Sequence, residues 1–462
     1  MADHDHGTID FFSRLTNLML VYIISFLPFK DAARTSVLSK RWYQVWHSTR
    51  NVEFNENFFV KPGDEESEEI TEKQRRAFVD FTRRWMLTYN GEVIDTLSLT
   101  FSRPRKFSSE MNECINFAIT RNVQRLVLDF SDPTTVHRGV FELPPFVYGH
   151  EGLKSLKLFS CNFDVSRLNN FNALKELSLG WIKVSMSTIK DLLRKCPSLE
   201  SLSLKNCSSV DHIEISAPDL RLRSLVFDKC ELDQPYLMIK APNLRVLKYS
   251  GDLPTFEFWR PESLVEADLD FASETEFEEV GDLVQEILRE IACVQVLTVC
   301  SYLLQVIPSG TEPLGMEVAL NVRHLILKTE LHSNVFFGIK FMLKSCPVLE
   351  TLTIQLGPAR MFSDYEPPFV LRPRVFWKGS QVVFDCLANT LKVVEVQNFK
   401  GSENEINLLN YLIKLGKVLE GLKLCVSKED NGAGENPELY RERALEVLQI
   451  RRASPTLRID IV

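Results

Sequence analysis

Ten cysteines and eight histidines are the side chains of this 462-residue chain best suited to metal binding, redox work or nucleophilic attack. Their spacing argues against all three. The cysteines stand singly, with no C-x-x-C, and the histidines are scattered, whereas zinc sites and disulfide frameworks show clustered spacings. No P-loop, G-x-G-x-x-G, G-x-S-x-G or H-E-x-x-H string occurs. Carboxylates crowd into "DEESEE" and "ETEFEEVGD", but runs of like charge are normally solvated faces. The sequence therefore predicts no catalytic residue, no metal and no cofactor. Free, mostly buried thiols fit a reducing compartment, cytoplasmic or nuclear.

The net charge of −8 gives no support for nucleic acid or an anionic membrane as partner. No stretch reaches the ~18 apolar residues of a membrane span. The apolar run "NLMLVYIISFLPF" from Asn17 has an acidic flank, "MADHDHGTIDFFSR", and no small-residue cleavage pattern, so it is not a secretory signal. The sequon at Asn206 carries little weight without export. A chain of this length needs several cores or a repeat array.

The opening run reads as a helix from Asn17 to Leu27, stopped by Pro28. Asp31 is placed to cap a second short helix reaching Leu38, and Ser39 a third carrying Trp42, Val45 and Trp46. The first helix is apolar on every side, and three short helices cannot cover it. The excess must pack on the rest of the chain or on another protein. The string "KRWYQVW" spaces its aromatics for packing rather than for nucleic acid.

The segment "DFFSRLTNLMLVYIISFLPFKDAARTSVLSKRWYQVWHSTRNVEF" resembles the F-box, particularly the plant type. The resemblance implies binding to a Skp-type adaptor, and through it to a cullin and a RING protein in an SCF ubiquitin ligase. Carried over position by position, it implies adaptor-facing roles for Leu15, Ile23, Leu27, Pro28, Val37, Leu38, Trp42 and Trp46. The family usually has Leu-Pro near the start of the first helix. Here the pair is Leu15-Thr16, and Thr16 must serve as an ordinary N-cap in place of proline.

After this module, "KPGDEESEEI" reads as a solvated linker. A helix follows, with Thr71 and Gln74 as a capping box, Phe78, Phe81 and Trp85 on one face, and Asn90-Gly91 at its end. Then short alternating segments recur, from "IDTLSLTF" and "LKSLKLFSC" to "LETLTIQL" and "LEGLKLCV". Their central apolar residues are spaced 29, 30, 21, 25, 23, 22, 20, 30, 28, 27, 42 and 28 residues apart. Most steps lie near the leucine-rich-repeat period. The apolar residues of each strand point into the stack, and Cys161, Cys207 and Cys230 lie inside it as the chain turns. Cys196 and Cys346 sit in a shared phrase, "CP-x-LE-x-L", ahead of their strands. The outward positions form a concave binding face. The candidates for holding an unknown target protein are Ser155, Lys157, Glu176, Ser178, Ser201, Ser203, Ser224, Val226, Val246 and Lys248.

Near the C-terminus, Ser402 and Glu405 form a capping box. Ile406, Leu409, Leu412 and Ile413 give that helix an apolar face ending at Gly416. From about Phe376 the chain also resembles the FBD domain, through "KVVEVQNFKGSENE", "YLIKLGKVLEGLKL" and "RERALEVLQIRRASPTLRIDI".

The expected architecture is α/β. A three-helix F-box (8–54) and an acidic linker with connecting helix (55–91) precede a leucine-rich-repeat solenoid (92–370). An FBD segment (371–462) continues and caps that solenoid. Parallel strands line its concave face, and helices or irregular segments its convex face. The expected function is substrate recognition in an SCF-type ligase; the alternative is an interaction scaffold that recruits no ligase.

Overall fold

The computed structural model describes residues 11–60, 68–131, 141–168, 171–208, 212–217, 219, 221–232, 236–271, 280–307, 315–358, 372–377, 383–430 and 435–462. The core of the acidic linker and parts of "ETEFEEVGD" and "KEDNGAGENPE" lie outside them. Contacts divide the chain into two compact units, Met1–Ser208 and Ser209–Val462.

The first unit opens with three short helices, α1 (Asn17–Ile24), α2 (Phe29–Thr35) and α3 (Lys40–Trp46). The chain then runs directly into β1 (Asn51–Asn55), and α4 (Glu68–Thr88) packs Phe78, Val79 and Trp85 inward. β1, β2 (Thr96–Thr100), β3 (Arg125–Asp129), β5 (Ser155–Phe159), β7 (Glu176–Gly180) and β8 (Ser201–Lys205) form a parallel ladder in that order. The connections between these strands hold α5 (Ser108–Ile119), α6 (Met186–Lys195) and the short pair β4 (Phe141–Glu142) and β6 (Cys161–Asn162). The register aligns Val52, Leu97, Leu126, Leu156, Leu177 and Leu202, all buried. Each strand thus contributes one rung to a continuous apolar ladder.

The second unit repeats the scheme. Its main ladder runs β10 (Ser224–Asp228), β12 (Val246–Gly251), β14 (Glu266–Phe271), β15 (Val296–Cys300), β16 (His324–Thr329), β17 (Thr351–Leu356), β18 (Val393–Phe399), β19 (Gly421–Val426) and β20 (Arg458–Ile461), all parallel. Helices α7 (Val280–Glu290), α8 (Ser301–Val306), α9 (Phe336–Ser345), α10 (Pro373–Phe376), α11 (Asp385–Asn389), α12 (Glu403–Leu415) and α13 (Pro437–Val447) fill the connections. A second parallel ladder, β9 (Ile213–Ser216), β11 (Tyr236–Lys240) and β13 (Thr255–Phe258), stands where helices or irregular segments are expected. The cause is repeat length. The 22- and 20-residue steps from Leu225 to Leu247 and on to Ala267 leave no room for a three-turn helix. Their alternating "YLMIK" and "TFEF" pair as strands instead.

Several strands exit through a residue with left-handed backbone: Ser160 (φ 53°), Trp181 (55°), Asn206 (47°) and Lys229 (51°), and Gly251 at the end of β12 (147°). That conformation costs roughly 1–2 kcal/mol for a side-chain-bearing residue, so the sharp turn is held by the packing around it. Cys161, Cys207 and Cys230 directly follow three of these turns and are buried. The Cys207 thiol lies 3.5 Å from the Lys205 carbonyl and 3.6 Å from that of Leu179.

Two expected caps do not form. Asp31 lies within the first turn of α2, where it pairs with Arg34 at 2.7 Å, because Pro28 already starts that helix. Thr71 falls inside α4, since "EEITEKQ" is an unbroken helix-forming run with nothing to delay its start. Ser39 and Ser402 do cap their helices, and Glu405 completes the box.

Helix α9 crosses α8 so closely that a Cβ on Gly338 would lie 1.9 Å from the Leu304 carbonyl oxygen. Gly338→Ala should therefore lower the thermal midpoint of the second unit, by the equivalent of about 1–3 kcal/mol or more. Gly421→Ala has nothing within 4 Å of its new methyl. It should stay within about 0.5 kcal/mol of the wild type in the same melt.

Candidate functional site

Thr16 starts α1 as a conventional cap: its hydroxyl accepts from the Met19 amide at 3.3 Å. Arg41, on α3, supplies a second fastening. Its guanidinium donates to the Leu15 carbonyl, to the Ser13 carbonyl at 3.1 Å and to Asn17 Oδ1 at 2.8 Å. Helix entry is set here by a hydroxyl and a guanidinium clamp.

Leu20 and Ile24 are the buried positions of α1. Leu18, Met19, Tyr22, Ile23, Phe26 and Leu27 remain exposed, Leu18 and Phe26 by 70% or more. The turn between α2 and α3 adds Val37 (84%) and Leu38 (65%). Of the expected adaptor-facing set, Ile23, Leu27, Pro28, Val37 and Leu38 are exposed, while Leu15 and Trp42 are half-buried. Leu18, Met19, Tyr22 and Phe26 were not in that set and are more exposed than Ile23 or Leu27. The sequence signal for them is the all-round apolarity of the helix.

Trp46 requires correction. It is buried, 6.0 Å from both Phe29 and Trp85 between ring centroids. Trp85 also meets Phe54 at 5.4 Å and Tyr89 at 5.1 Å. This cluster joins the three-helix head to α4 and β1, so Trp46 faces the chain's own core. A buried ion pair adds to the same region: Arg75 Nε lies 3.6 Å from Glu56 Oε2, and Glu56 Oε1 accepts from the Ser102 amide at 3.0 Å.

The outward candidates occupy two rows in each unit. In the first, Ser155, Glu176 and Ser201 are level, as are Lys157, Ser178 and Ser203. Lys157 and Glu176 are exposed and Ser201 and Ser203 half-exposed, but Ser155 and Ser178 are buried. Their short side chains sink between longer neighbours, and Ser155 donates to Glu176 Oε2 at 3.0 Å. Both therefore drop out of the accessible set. In the second unit Ser224 is level with Val246, and Val226 with Lys248. Lys248 pairs with Glu266 at 3.0 Å.

All ten cysteines are free, and eight are buried. Burial pushes the Cys114 and Cys386 thiols up to about 12, and those of Cys196 and Cys300 to about 11. Among the described residues no group of three or more His, Cys, Asp or Glu could hold a metal ion, and no helix is long and apolar enough to cross a membrane.

An apolar three-helix head running into a ladder of parallel leucine strands defines an F-box joined to leucine-rich repeats. The F-box family model matches residues 12–54, and the model described as "At1g61320/AtMIF1, LRR domain" matches 87–451. F-box protein At3g62230 of Arabidopsis thaliana is 34% identical over 431 residues, covering 91% of this chain and 92% of that protein. F-box/LRR-repeat protein At3g03360 of the same plant is 29% identical, covering 75% and 70%. F-box/FBD/LRR-repeat protein At4g26340 is 26% identical, covering 94% and 97%. The chain belongs to the F-box/leucine-rich-repeat family.

Trp46→Ala should cost about 3–5 kcal/mol of folding stability, read as a lower melting point. Tyr22→Ala, on the exposed face, should change stability by less than about 0.5 kcal/mol. With iodoacetamide at pH 8, the half-exposed Cys293 and Cys425 should be alkylated first in the native protein. The thiols held up by burial should react only after denaturation, as mass spectrometry would show.

Proposed function

We propose that the chain is the substrate-recognition subunit of an SCF-type ubiquitin ligase. The F-box binds a Skp-type adaptor, which brings cullin and RING protein, and the repeats hold a target protein for ubiquitination. The observation that carries this reading is the exposed apolar face of Leu18, Tyr22, Phe26, Val37 and Leu38 on a module whose other side is fixed to the chain's own core. An apolar face of that kind marks a protein interface. Leu15 and Trp42 lie at its half-buried margin.

The contribution to catalysis is positional. The receptor raises the effective concentration of target beside the charged enzyme, and no residue of its own does bond chemistry. The free thiols favour a cytoplasmic or nuclear setting. The FBD assignment of 371–462 draws on the sequence resemblance and on the name of the At4g26340 relative. For the alternative, a scaffold that recruits no ligase, Thr16 in place of proline is the sequence feature to weigh; it caps α1 in the ordinary way and so lends that reading no support.

Co-expression with a Skp-type adaptor should give a complex that survives size exclusion. Leu27→Ala with Leu38→Ala should weaken it on the order of tenfold or more while leaving the melting point nearly unchanged, since buried interface leucines are worth about 1–3 kcal/mol each. Undiminished binding by the folded double variant, measured by calorimetry, would argue against this face as the contact.

A further inference from the structure

A cavity of about 720 Å³ opens in the second unit at the C-terminal ends of β10, β12, β14, β15, β16 and β17. That volume suits a small ligand or a side chain with flanking backbone. Its walls include Phe271, Tyr302, Leu356 and Pro358. Its polar groups are unevenly signed. Asp270, Asp252 and Glu231 line it, against Lys229 and Lys328.

Lys328 is already committed. Its ammonium reaches from β16 across β15 to both carboxylate oxygens of Asp268, at 2.9 and 3.0 Å, and Thr298 lies buried on the strand it crosses. Asp270 lies two residues beyond Asp268 on the same face of β14, level with Ser250, which is level with Asp228. The wall therefore carries the half-buried Asp270 carboxylate, with that of Asp228 in register two strands away and outside the lining. Burial pushes the Asp270 carboxyl above its usual range; Asp268 and Asp228 push the same way, and Lys328 and Lys229 oppose them. Apolar walls beside a carboxylate suit an aliphatic stem ending in a cation.

We propose that this cavity is where the target is recognised, and that it takes a lysine or arginine side chain of the target peptide with Asp270 as counter-ion. The proposal rests on the reading of the chain as a substrate receptor, and it adds the chemical class of the substrate's contact residue. An acidic or phosphorylated peptide would meet an excess of carboxylates there.

The test is selection from a library of acetylated, amidated nonapeptides by the full chain bound to its adaptor. Lysine or arginine should be enriched at one position, and binding of the selected peptide should fall with added salt. Asp270→Asn, nearly isosteric, should weaken that peptide on the order of tenfold, as befits a lost charge-assisted hydrogen bond. Asp252→Asn at the exposed rim is a second variant and should weaken it severalfold. Lys328→Gln, which releases Asp268, should strengthen it, and Asp460→Asn on β20 should change nothing. Selection of acidic or apolar residues, basic selection indifferent to both pocket aspartates, or no selection at all would overturn the proposal. Adaptor capture by the same preparations is read separately. Its loss would count against the receptor reading, whereas retained capture without basic selection would count against the pocket alone.

Discussion

A parallel strand cannot bury its own apolar face, and it satisfies one edge of its backbone only through the next strand. The leucine ladder converts that constraint into an architecture. Leu97, Leu126, Leu156, Leu177 and Leu202 lie in register because each needs its neighbours to exclude water. The second unit has a row of its own, from Leu225 through Leu247, Ala267, Leu297, Leu325, Leu352, Val394 and Leu422 to Ile459. What varies is the return path behind the strands. Long steps hold helices and short ones strands, while left-handed turns such as Ser160 and Lys229 allow the chain to leave a strand abruptly. At the far end β20 carries Arg458 and Asp460 along its exposed face, a charged strand poorly suited to further pairing.

Much of this was legible in the sequence because the ladder is a local pattern. Every alternating segment from "IDTLSLTF" to "LEGLKLCV" became a strand, in the phase set by its central apolar residue. Among the strands of the leucine ladders, two escaped: β1, the first of the first unit, and β20, the last of the second. Val52 and Ile459 stand far from their nearest rungs, outside the repeat period, and β1 was hidden within the F-box string. The back strands escaped because their alternation is short and their place was expected to hold helices or irregular segments. Asp31 and Thr71 failed as caps because capping chemistry marks an available start, and an earlier start was available in each case.

The exposed apolar face was legible in kind but less so in detail. An all-round apolar helix announces that something must cover it, yet it cannot say which side its own chain will cover. Leu20 and Ile24 took the inner side, leaving Leu18, Tyr22 and Phe26 outward. Trp46 looked like its neighbour Trp42 in sequence and is distinguished only by Trp85, thirty-nine residues away in the chain. Likewise the pocket depends on ends of strands brought level by register, Ser250 beside Asp270 and Cys300 beside Lys328, which no single segment displays.

The aromatic seam of Phe29, Trp46, Phe54 and Trp85 carries an evolutionary consequence. The first strand of a stack exposes apolar surface unless something closes it. Here Phe29 of the helical head lies 6.2 Å from Phe54 of β1, so the head serves as the lid of the repeats it precedes. Such a head cannot be exchanged or shed as an independent cassette without uncovering the stack behind it. Selection on either the exposed apolar face of the head or the repeat array therefore acts on one inherited object, and a member of this lineage that lost that face would still be compelled to keep the F-box as a plug.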